Sequence, residues 1–268
     1  MKICLNSRCL PEYLEKADEI KIQYKDLNKL VDYVDTYPNV TFIFYTRNIP
    51  EDTELSWEEI ERSNKLCKGQ FIFAATTIHQ INECLKREIN FYLDKPTNNY
   101  EDLQWLKKMG AKYILIETPL FFDLQNVKKI CGKSCLLRIA PNIAYYADSI
   151  PKENGICGSW IRPEDIEEYS KYIDTIEFED CNTTKEQALY RVYMENHSWL
   201  YDLNDLITNL GAEANNLYIP NTFASSRLNC GQRCKSVSNC NICNRAFVLS
   251  NNKDFQTQLK KLGEKNDN

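Results

Sequence analysis

Histidine and glycine are scarce in this chain, which has 2 histidines and 8 glycines among its 268 residues. Two histidines argue against a hydrolytic zinc site, because such sites usually hold their metal through several imidazoles. With so few glycines, a Gly-rich loop that binds phosphate is not expected, and the Gly-rich fingerprint of dinucleotide-binding proteins is absent. No Ser/His or Cys/His pair stands at positions that suggest a nucleophile and its base.

Long apolar runs and an excess of positive charge are also missing. No apolar stretch approaches the roughly 20 residues that cross a bilayer, so no membrane span is expected. Residues 1–8 have no apolar core after their first positive charge, so no secretory signal is expected either. The net charge of −5 argues against a protein that coats nucleic acid electrostatically, although a local patch could still meet RNA. A cytoplasmic protein is therefore the expectation.

Cysteine, by contrast, is plentiful and concentrated. Four of the 12 cysteines fall within residues 230–243 with the spacing C-x3-C-x5-C-x2-C, and this cysteine quartet consists of Cys230, Cys234, Cys240 and Cys243. Four soft thiolates so close in sequence can converge on a tetrahedral zinc ion or on the corners of an iron–sulfur cluster. Disulfides are the alternative, but they need an oxidising compartment, of which the sequence gives no sign. The other eight cysteines are scattered singly, as reduced core cysteines usually are.

The spacing within the quartet leaves zinc and iron open. Zinc ribbons separate their two cysteine pairs by roughly a dozen residues or more. The five residues between Cys234 and Cys240 are too few for that arrangement, although a zinc knuckle remains possible. The cysteine runs of bacterial ferredoxins and of radical enzymes are both absent.

Eight short runs rich in branched and aromatic residues alternate with amphipathic segments. Such runs suit buried strands, and strands that each feed a helix predict a parallel sheet. Eight units predict an α/β fold of the (β/α)8 TIM-like barrel type, with an open doubly wound sheet as the alternative. The predicted strands are Lys2–Asn6, Glu19–Lys25, Thr41–Arg47, Phe71–Thr76, Asn90–Asp94, Tyr113–Glu117, Leu136–Ala140 and Thr175–Glu179. The helices predicted between them are Asp26–Tyr37, Trp57–Leu66, Ile78–Arg87, Tyr100–Met109 and Phe121–Ile130.

Three regions are expected along the chain. The barrel takes up residues 1–210, a cysteine-rich metal or cluster segment follows over 211–250, and a terminal helix with a polar tail takes up 251–268. A long helix, Thr184–Leu210, is expected to follow the last strand and to end at Gly211, and a short helix is expected at Phe255–Leu262. Because that long helix leaves the C-terminal rim of the barrel and must turn back, the quartet is expected to pack over this rim.

Polar residues at the carboxyl ends of barrel strands are the default catalytic candidates. Among them we select Glu117, Arg138 and Glu179 as catalytic residues. Burying a single charged side chain within an apolar run such as Leu136–Ala140 costs free energy unless another group pairs with it. The planar guanidinium of Arg138 would suit an anionic substrate. The structural alternative is that such charges pair with a neighbour or cap the next helix. The whole set is Asn6, Tyr24, Tyr45, Arg47, Asp94, Lys95, Glu117, Arg138, Asn142, Glu177 and Glu179.

The second half of the barrel resembles a known layout. Ile161-Arg162-Pro163-Glu164-Asp165-Ile166 is followed by Tyr172-Ile173-Asp174-Thr175-Ile176-Glu177-Phe178-Glu179 and then by a helix-like stretch with Ala188, Tyr190, Arg191 and Tyr193. This order is similar to that of the collagenase-like peptidase family (peptidase family U-32), in which a "(K/P)-(D/E)-(D/L)" helix start precedes a "D-S-L-K-I-E-G" strand and a long helix. Tyr113–Leu120 resembles the family's mid-barrel "V-V-L-x-x-E-L" strand, and the likeness covers roughly residues 1–205.

The resemblance implies a fold and a chemistry. Members of this family are (β/α)8-like barrels, and several bind a 4Fe–4S cluster through four cysteines and take part in hydroxylating RNA bases or the ubiquinone ring without molecular oxygen. Other members are described as peptidases. The resemblance therefore implies an iron–sulfur enzyme with a small-molecule or RNA substrate, and some members act with a partner subunit.

This chain departs from the family in the position of its cysteines. The family's cysteines mostly precede the helix start, whereas the quartet here follows the last barrel helix. Cys157 is at a family position, and Cys181 follows the final strand, where Asp180-Cys181 stands in place of the family's Gly-Arg. The quartet is thus either a relocated version of the family's cluster site or a separate zinc module.

Three functions remain open at this point. The first is an enzyme with an iron–sulfur cluster that hydroxylates a nucleobase or a small aromatic molecule. The second is a hydrolase of the peptidase kind. The third is a binding module in which a zinc-stabilised barrel grips RNA or protein. Basic residues interleaved with the cysteines would serve the third function or offset the charge of the thiolates, and they are Arg227, Arg233, Lys235 and Arg245.

Overall fold

The computed structural model describes residues 1–46, 55–144, 158–178, 203–210 and 221–228, and the single residues Tyr193, Ile219, Cys230, Cys243, Ala246 and Thr257. The chain divides into two compact units. Unit 1 consists of Met1–Glu117, Asn126–Ala140 and Tyr172–Gln187. Unit 2 consists of Thr118–Gln125, Pro141–Lys171 and Ala188–Asn268.

Unit 1 is built on eight parallel strands, which are β1 Lys2–Asn6, β2 Glu19–Gln23, β3 Thr41–Tyr45, β4 Phe71–Ala75, β5 Phe91–Leu93, β6 Tyr113–Leu115, β7 Leu136–Ile139 and β8 Thr175–Glu177. Their spatial order is β5-β4-β3-β2-β1-β8-β7-β6. The first and last strands of the chain are neighbours, with Lys2 opposite Thr175. The two outer strands meet through Thr97, whose N–H donates to the Leu115 carbonyl at 2.7 Å and whose carbonyl accepts from the Glu117 N–H at 3.1 Å. The sheet is therefore a nearly closed (β/α)8 barrel, as the sequence predicts.

Three of the described helices begin at a capping side chain. Ser56, Thr77 and Asn99 accept from backbone N–H groups of the first turns of the helices Trp57–Leu66, Ile78–Lys86 and Tyr100–Lys108 respectively. The α-helices are α1 Pro11–Leu14, α2 Leu30–Thr36, α3 Trp57–Leu66, α4 Ile78–Lys86, α5 Tyr100–Lys108, α6 Leu124–Cys131, α7 Ile166–Tyr169, α8 Leu203–Leu206 and α9 Phe223–Leu228. Short 3-10 turns span Tyr24–Lys29, Leu120–Asp123 and Pro163–Asp165. None of these helices is long and apolar enough to cross a membrane.

Some predicted boundaries extend too far. The strand predicted as Glu19–Lys25 ends at Gln23, because the 3-10 turn Tyr24–Lys29 begins there, and α-helix proper then starts at Leu30. The helix predicted to reach Leu210 ends at Leu206. Thr208 instead bridges to Ile143, since its N–H donates to the Asn142 carbonyl at 2.7 Å. Most of the predicted Thr184–Leu210 and Phe255–Leu262, and the strand ends at Arg47 and Glu179, lie outside the described residues.

The side chains of the strands alternate between the outer face of the barrel and its interior. The outward positions are apolar, as in Phe42 and Phe44 of β3 and Phe71 and Phe73 of β4, all of which are buried. The inward positions are mixed. An apolar cluster of seven residues fills part of the interior, namely Cys4, Ile43, Tyr45, Ile72, Ala74, Tyr92 and Leu115. Strands β2, β7 and β8 contribute charged groups instead.

Candidate functional site

A buried charge cluster occupies the barrel interior, and its centre is the ion pair between Arg138 of β7 and Glu177 of β8. The Nε and Nη2 atoms of Arg138 donate to Glu177 Oε2 at 3.0 and 2.8 Å. The remaining Nη1 donates to Glu19 on β2. All three side chains have no solvent exposure. The guanidinium is thus fully occupied by two carboxylates.

Lys21 links this pair to the carboxyl end of the barrel. Its Nζ bonds to Glu177 Oε1 and lies 3.6 Å from Asp94 Oδ1, just beyond the end of β5. The ammonium also stands 5.1 Å from the ring centroid of Tyr45 at the end of β3. Lys21 therefore holds one carboxylate in the middle of the barrel and another at its mouth.

The charges around Glu177 fix the protonation states of the cluster. Burial opposes ionisation of Glu177, but Lys21 and Arg138 outweigh it and lower the pKa of this carboxyl to about 2. Burial and the charge of Glu177 raise the pKa of the Tyr92 phenol, whose hydroxyl donates to Glu177 Oε1 at 3.3 Å. Burial and the same charge raise the pKa of the Cys4 thiol. At neutral pH Glu177 is ionised, while Tyr92 and Cys4 stay protonated.

Further polar residues lie at the carboxyl end of the barrel. Asn6 Nδ2 donates to Tyr45 Oη at 3.4 Å, and Arg8 Nη2 donates to Gln23 Oε1 at 3.3 Å. These residues stand at or just beyond the ends of β1, β2 and β3. The carboxyl ends of neighbouring strands therefore present amide, phenol, ammonium and carboxylate groups within one region, which is the usual position of a barrel active site.

Acid is expected to weaken the folded state through Glu177. Its pKa falls from 4.5 to about 2 on folding, so its ionised form stabilises the folded protein above about pH 4.5 and this contribution disappears toward about pH 2. The shift is equivalent to about 3 kcal/mol. Urea denaturation at about pH 5 and about pH 3 measures the effect, and Glu177→Gln should show a flatter dependence. An unchanged pH dependence in Glu177→Gln would contradict this role.

The predicted catalytic residues have different surroundings. Arg138 belongs to the charge cluster, where its predicted anionic partners are the protein's own carboxylates. Glu117 follows β6 and is half-buried, and its N–H donates to Thr97. Glu179 lies outside the described residues. The three are therefore not brought together by any contact between described side chains.

Sequence reasoning missed Lys21. The residue stands inside the strand Glu19-Ile20-Lys21-Ile22-Gln23, where polar and apolar side chains alternate. That alternation was the available signal, because it predicts that one face of β2 is polar although the other is buried. Glu177 and Asp94 were among the strand-end candidates but were not selected.

The eight cysteines in the described part of the chain are all buried, and six of them belong to the eight scattered cysteines. Cys230 and Cys243 of the quartet are both buried, whereas Cys234 and Cys240, like Cys157 and Cys181, lie outside the described residues. Among the described residues, no group of three or more His, Cys, Asp or Glu side chains is placed to hold a metal ion.

Within unit 2, Cys230 adjoins a buried arginine. The N–H of Cys230 donates to the Arg227 carbonyl at 3.1 Å, and the Arg227 side chain is 1 % exposed. Its Nη1 donates to the Trp160 carbonyl at 2.8 Å and its Nη2 to the Gly158 carbonyl. Four aromatic rings enclose the guanidinium, with centroids 4.8–5.3 Å away, and they belong to Phe121, Phe122, Trp160 and Phe223.

Both described cysteines of the quartet contribute to the pKa of one phenol, that of Tyr169. Burial raises the pKa of Tyr169, Arg227 lowers it, and Cys230 and Cys243 raise it further. The two thiols, 13 positions apart in sequence, therefore lie within electrostatic reach of the same hydroxyl group. The Tyr169 ring stacks on Phe121 with centroids 5.2 Å apart, which places it in the same aromatic group as Arg227.

Comparison with known proteins adds little to this description. No protein-family model matches the chain, and no curated protein sequence matches it. A glycerol uptake operon antiterminator-related protein from Thermotoga maritima is similar in structure, with 10% identity, a TM-score of 0.39, and coverage of 67% of this chain and 95% of that one. The 3-keto-L-gulonate-6-phosphate decarboxylase from Vibrio cholerae gives 12% identity, a TM-score of 0.39, and coverage of 73% and 97%. The resemblance to peptidase family U-32 stays a prediction.

Proposed function

We propose that this chain is an iron–sulfur enzyme in which Cys230, Cys234, Cys240 and Cys243 hold a 4Fe–4S cluster. The substrate is a nucleobase in RNA or a small aromatic molecule, which reacts at the carboxyl end of the barrel. The substrate class and the hydroxylation chemistry derive from the resemblance to peptidase family U-32. The observation that carries the proposal is the buried guanidinium of Arg227, a residue whose backbone carbonyl accepts from the Cys230 N–H at 3.1 Å.

Because the Arg227 guanidinium is buried, its positive charge is expected to have an anionic neighbour. Taking a cation out of water costs several kcal/mol unless an anion compensates it. Among the described residues no carboxylate lies within ion-pair distance of Arg227, and its hydrogen bonds go to neutral carbonyl groups. Protonated thiols would add no charge, whereas cysteines that bind a metal or a cluster are thiolates. A bound thiolate quartet next to Arg227 would supply such a negative charge.

Iron and zinc would both satisfy this electrostatic requirement. The family resemblance favours iron, because the related proteins hold a 4Fe–4S cluster. When bound, such a cluster supplies one-electron transfer at a potential that its surroundings tune. If the same cysteines held zinc instead, the chain would be a binding module for RNA or protein.

Charged residues at the barrel mouth would accept and release the protons of the reaction. Replacing a ring C–H by C–OH with water as the oxygen source releases two protons and two electrons from the substrate and the water together. The electrons require an external one-electron acceptor, such as a partner subunit. Glu177 is a poor proton acceptor because its pKa is about 2. The proposed proton acceptor is instead Asp94 at the mouth, whose Oδ1 lies 3.6 Å from Lys21 Nζ.

Metal analysis after anaerobic purification tests this proposal. We expect about four iron atoms per chain and a broad absorbance at about 400 nm that bleaches on reduction. A colourless protein that retains one zinc ion would overturn the iron–sulfur proposal and favour the zinc-stabilised binding module. No described contact favours the peptidase function.

A further inference from the structure

Within unit 1, a cavity of about 410 Å³ lies at the carboxyl ends of β4 and β5, between these strands and the helices α4 and α5. Its size is within the range of roughly 300–1,000 Å³ that is usual for small-molecule sites. Such sites are mostly apolar with a few polar groups, and this outer cavity has that character. Its apolar walls are Ile78, Ile81, Leu93, Pro96, Trp105 and Leu106.

The outer cavity is separate from the mouth of the barrel. Successive side chains of a strand point to opposite faces, so Leu93 lines the cavity while Asp94 points into the barrel. There the Asp94 Oδ1 lies 3.6 Å from Lys21 Nζ. A molecule bound against Leu93 therefore has the backbone of residues 93–95 between itself and the Asp94 carboxylate. A ligand of the outer cavity is thus distinct from the substrate at the mouth and independent of the quartet.

The charges around the outer cavity favour an anion. Lys95 lines the cavity, is exposed, and makes no ion pair with any described residue. The carboxylate on the cavity wall, Asp102, already accepts from Asn99 Nδ2 at 2.7 Å and lies in the first turn of α5, where the helix dipole stabilises it. Helix α4 begins on the cavity wall at Ile78 and has no acidic residue in its first turn, so nothing there offsets the partial positive charge of its N-terminus.

Thr97 adds a hydrogen-bonding group to the same wall. Its backbone N–H and carbonyl join the two outer strands of the barrel, whereas its hydroxyl has no hydrogen-bond partner among the described residues. The residue is only 2 % exposed. Buried hydroxyl groups are nearly always hydrogen-bonded in native proteins, so this one indicates a polar atom that the described side chains do not provide.

We propose that the outer cavity binds a small planar aromatic molecule with one negative charge, such as an aromatic carboxylate. Its ring stacks on Trp105, which is half-buried and lines the cavity. Its anionic group pairs with Lys95, and the Thr97 hydroxyl donates to one of its oxygens. This inference does not rest on the proposed iron–sulfur cofactor, because all of these residues belong to unit 1.

Isothermal titration calorimetry of the full-length chain with naphthoate tests the proposal, with naphthalenemethanol as the neutral counterpart. We expect naphthoate to bind and the alcohol to bind several-fold more weakly. Lys95→Gln should weaken naphthoate binding by about two- to fivefold, as expected for an ion pair of an exposed lysine, and should leave binding of the alcohol unchanged. Lys65→Gln is the matched control, since it removes an exposed lysine of α3 outside the cavity and should affect neither molecule.

Two further variants test the ring and the hydroxyl. Trp105→Leu should weaken binding of both molecules by about tenfold, and Trp105→Phe, which keeps an aromatic ring, should recover part of the loss. Thr97→Val keeps the shape of the side chain and the backbone bonds. Because the hydroxyl has no described partner, this change should not lower the stability of the unliganded protein, but it should weaken naphthoate binding by about two- to tenfold.

Absence of binding at about 1 mM naphthoate would overturn the proposal, and so would equal affinity for naphthoate and the alcohol. Unchanged naphthoate affinity in Lys95→Gln or in Trp105→Leu would overturn it as well. Lys95→Gln alters an exposed side chain and is expected to fold even if Trp105→Leu does not, so the requirement for the charge can be measured in either case.

Discussion

Replacing Arg138 with methionine is expected to destabilise unit 1 by about 3–5 kcal/mol, which is the usual cost of removing one partner from a buried ion pair. The change leaves Glu19 and Glu177 in the barrel interior without the guanidinium that both of them contact. Methionine fills a similar volume, so the cost comes from the two stranded carboxylates and less from a cavity. Equilibrium unfolding in urea measures it.

Two further variants separate charge from packing. Arg138→Met combined with Glu19→Gln should recover part of the loss, because among the described residues Glu19 would otherwise keep only the 3.6 Å contact with the partly exposed Lys2. Lys128→Met breaks the ion pair with Asp174, whose two side chains are about one-third exposed, and should cost no more than about 1 kcal/mol. If Arg138→Met cost as little as Lys128→Met, the barrel interior would be hydrated and the cluster would contribute little to stability.

Much of the barrel follows from local patterns. The helix Trp57–Leu66 was predicted with both ends correct, because Ser56 caps it, Glu58 and Glu59 suit its first turn, and Ile60 marks its buried face. The predicted strands begin at or next to the observed ones, but most of them extend one or two residues too far. The residues just beyond a strand often continue its alternation of polar and apolar side chains, so the sequence pattern does not mark where the strand ends. The strand ends where the backbone turns, as at Tyr24.

The site depends on contacts that no local pattern specifies. Lys21 meets Glu177 across 156 positions, and Arg138 meets Glu19 across 119. The sequence shows that each strand alternates, yet which of its faces turns into the barrel depends on how all eight strands pair. Selecting single charges in apolar runs therefore identified Arg138 but could not identify the carboxylates that bind it.

Unit 2 illustrates a second limit. The quartet is visible in the sequence as a spacing, and Arg227 as one of several basic residues near it. The sequence does not show that Arg227 is buried among four aromatic rings, two of which come from Phe121 and Phe122, about a hundred positions earlier. Burial changes the interpretation of this residue, because a solvated arginine needs no anion and a buried one does.

Cys240→Ser is expected to release the metal from the chain. A metal site that loses one of four thiolates loses much of its binding free energy, and for a short segment this is also folding free energy. Residues 229–245 contain few large apolar side chains, so burial alone cannot hold them. We therefore expect loss of iron, measured by metal analysis, together with new protease cleavage within residues 225–248, while the thermal unfolding of unit 1 is unchanged.

Cys84→Ser and Cys131→Ser are the controls for this change. Burial, with smaller contributions from Glu83 and Cys135 respectively, raises the pKa of both thiols to about 12, so both are protonated at neutral pH, and both belong to unit 1. Both variants should keep the full metal content. If Cys240→Ser keeps its metal while Cys157→Ser or Cys181→Ser loses it, the cluster is held by the cysteines at the positions typical of peptidase family U-32. Arg227 would then face protonated thiols, and the electrostatic argument for the quartet would fail with it.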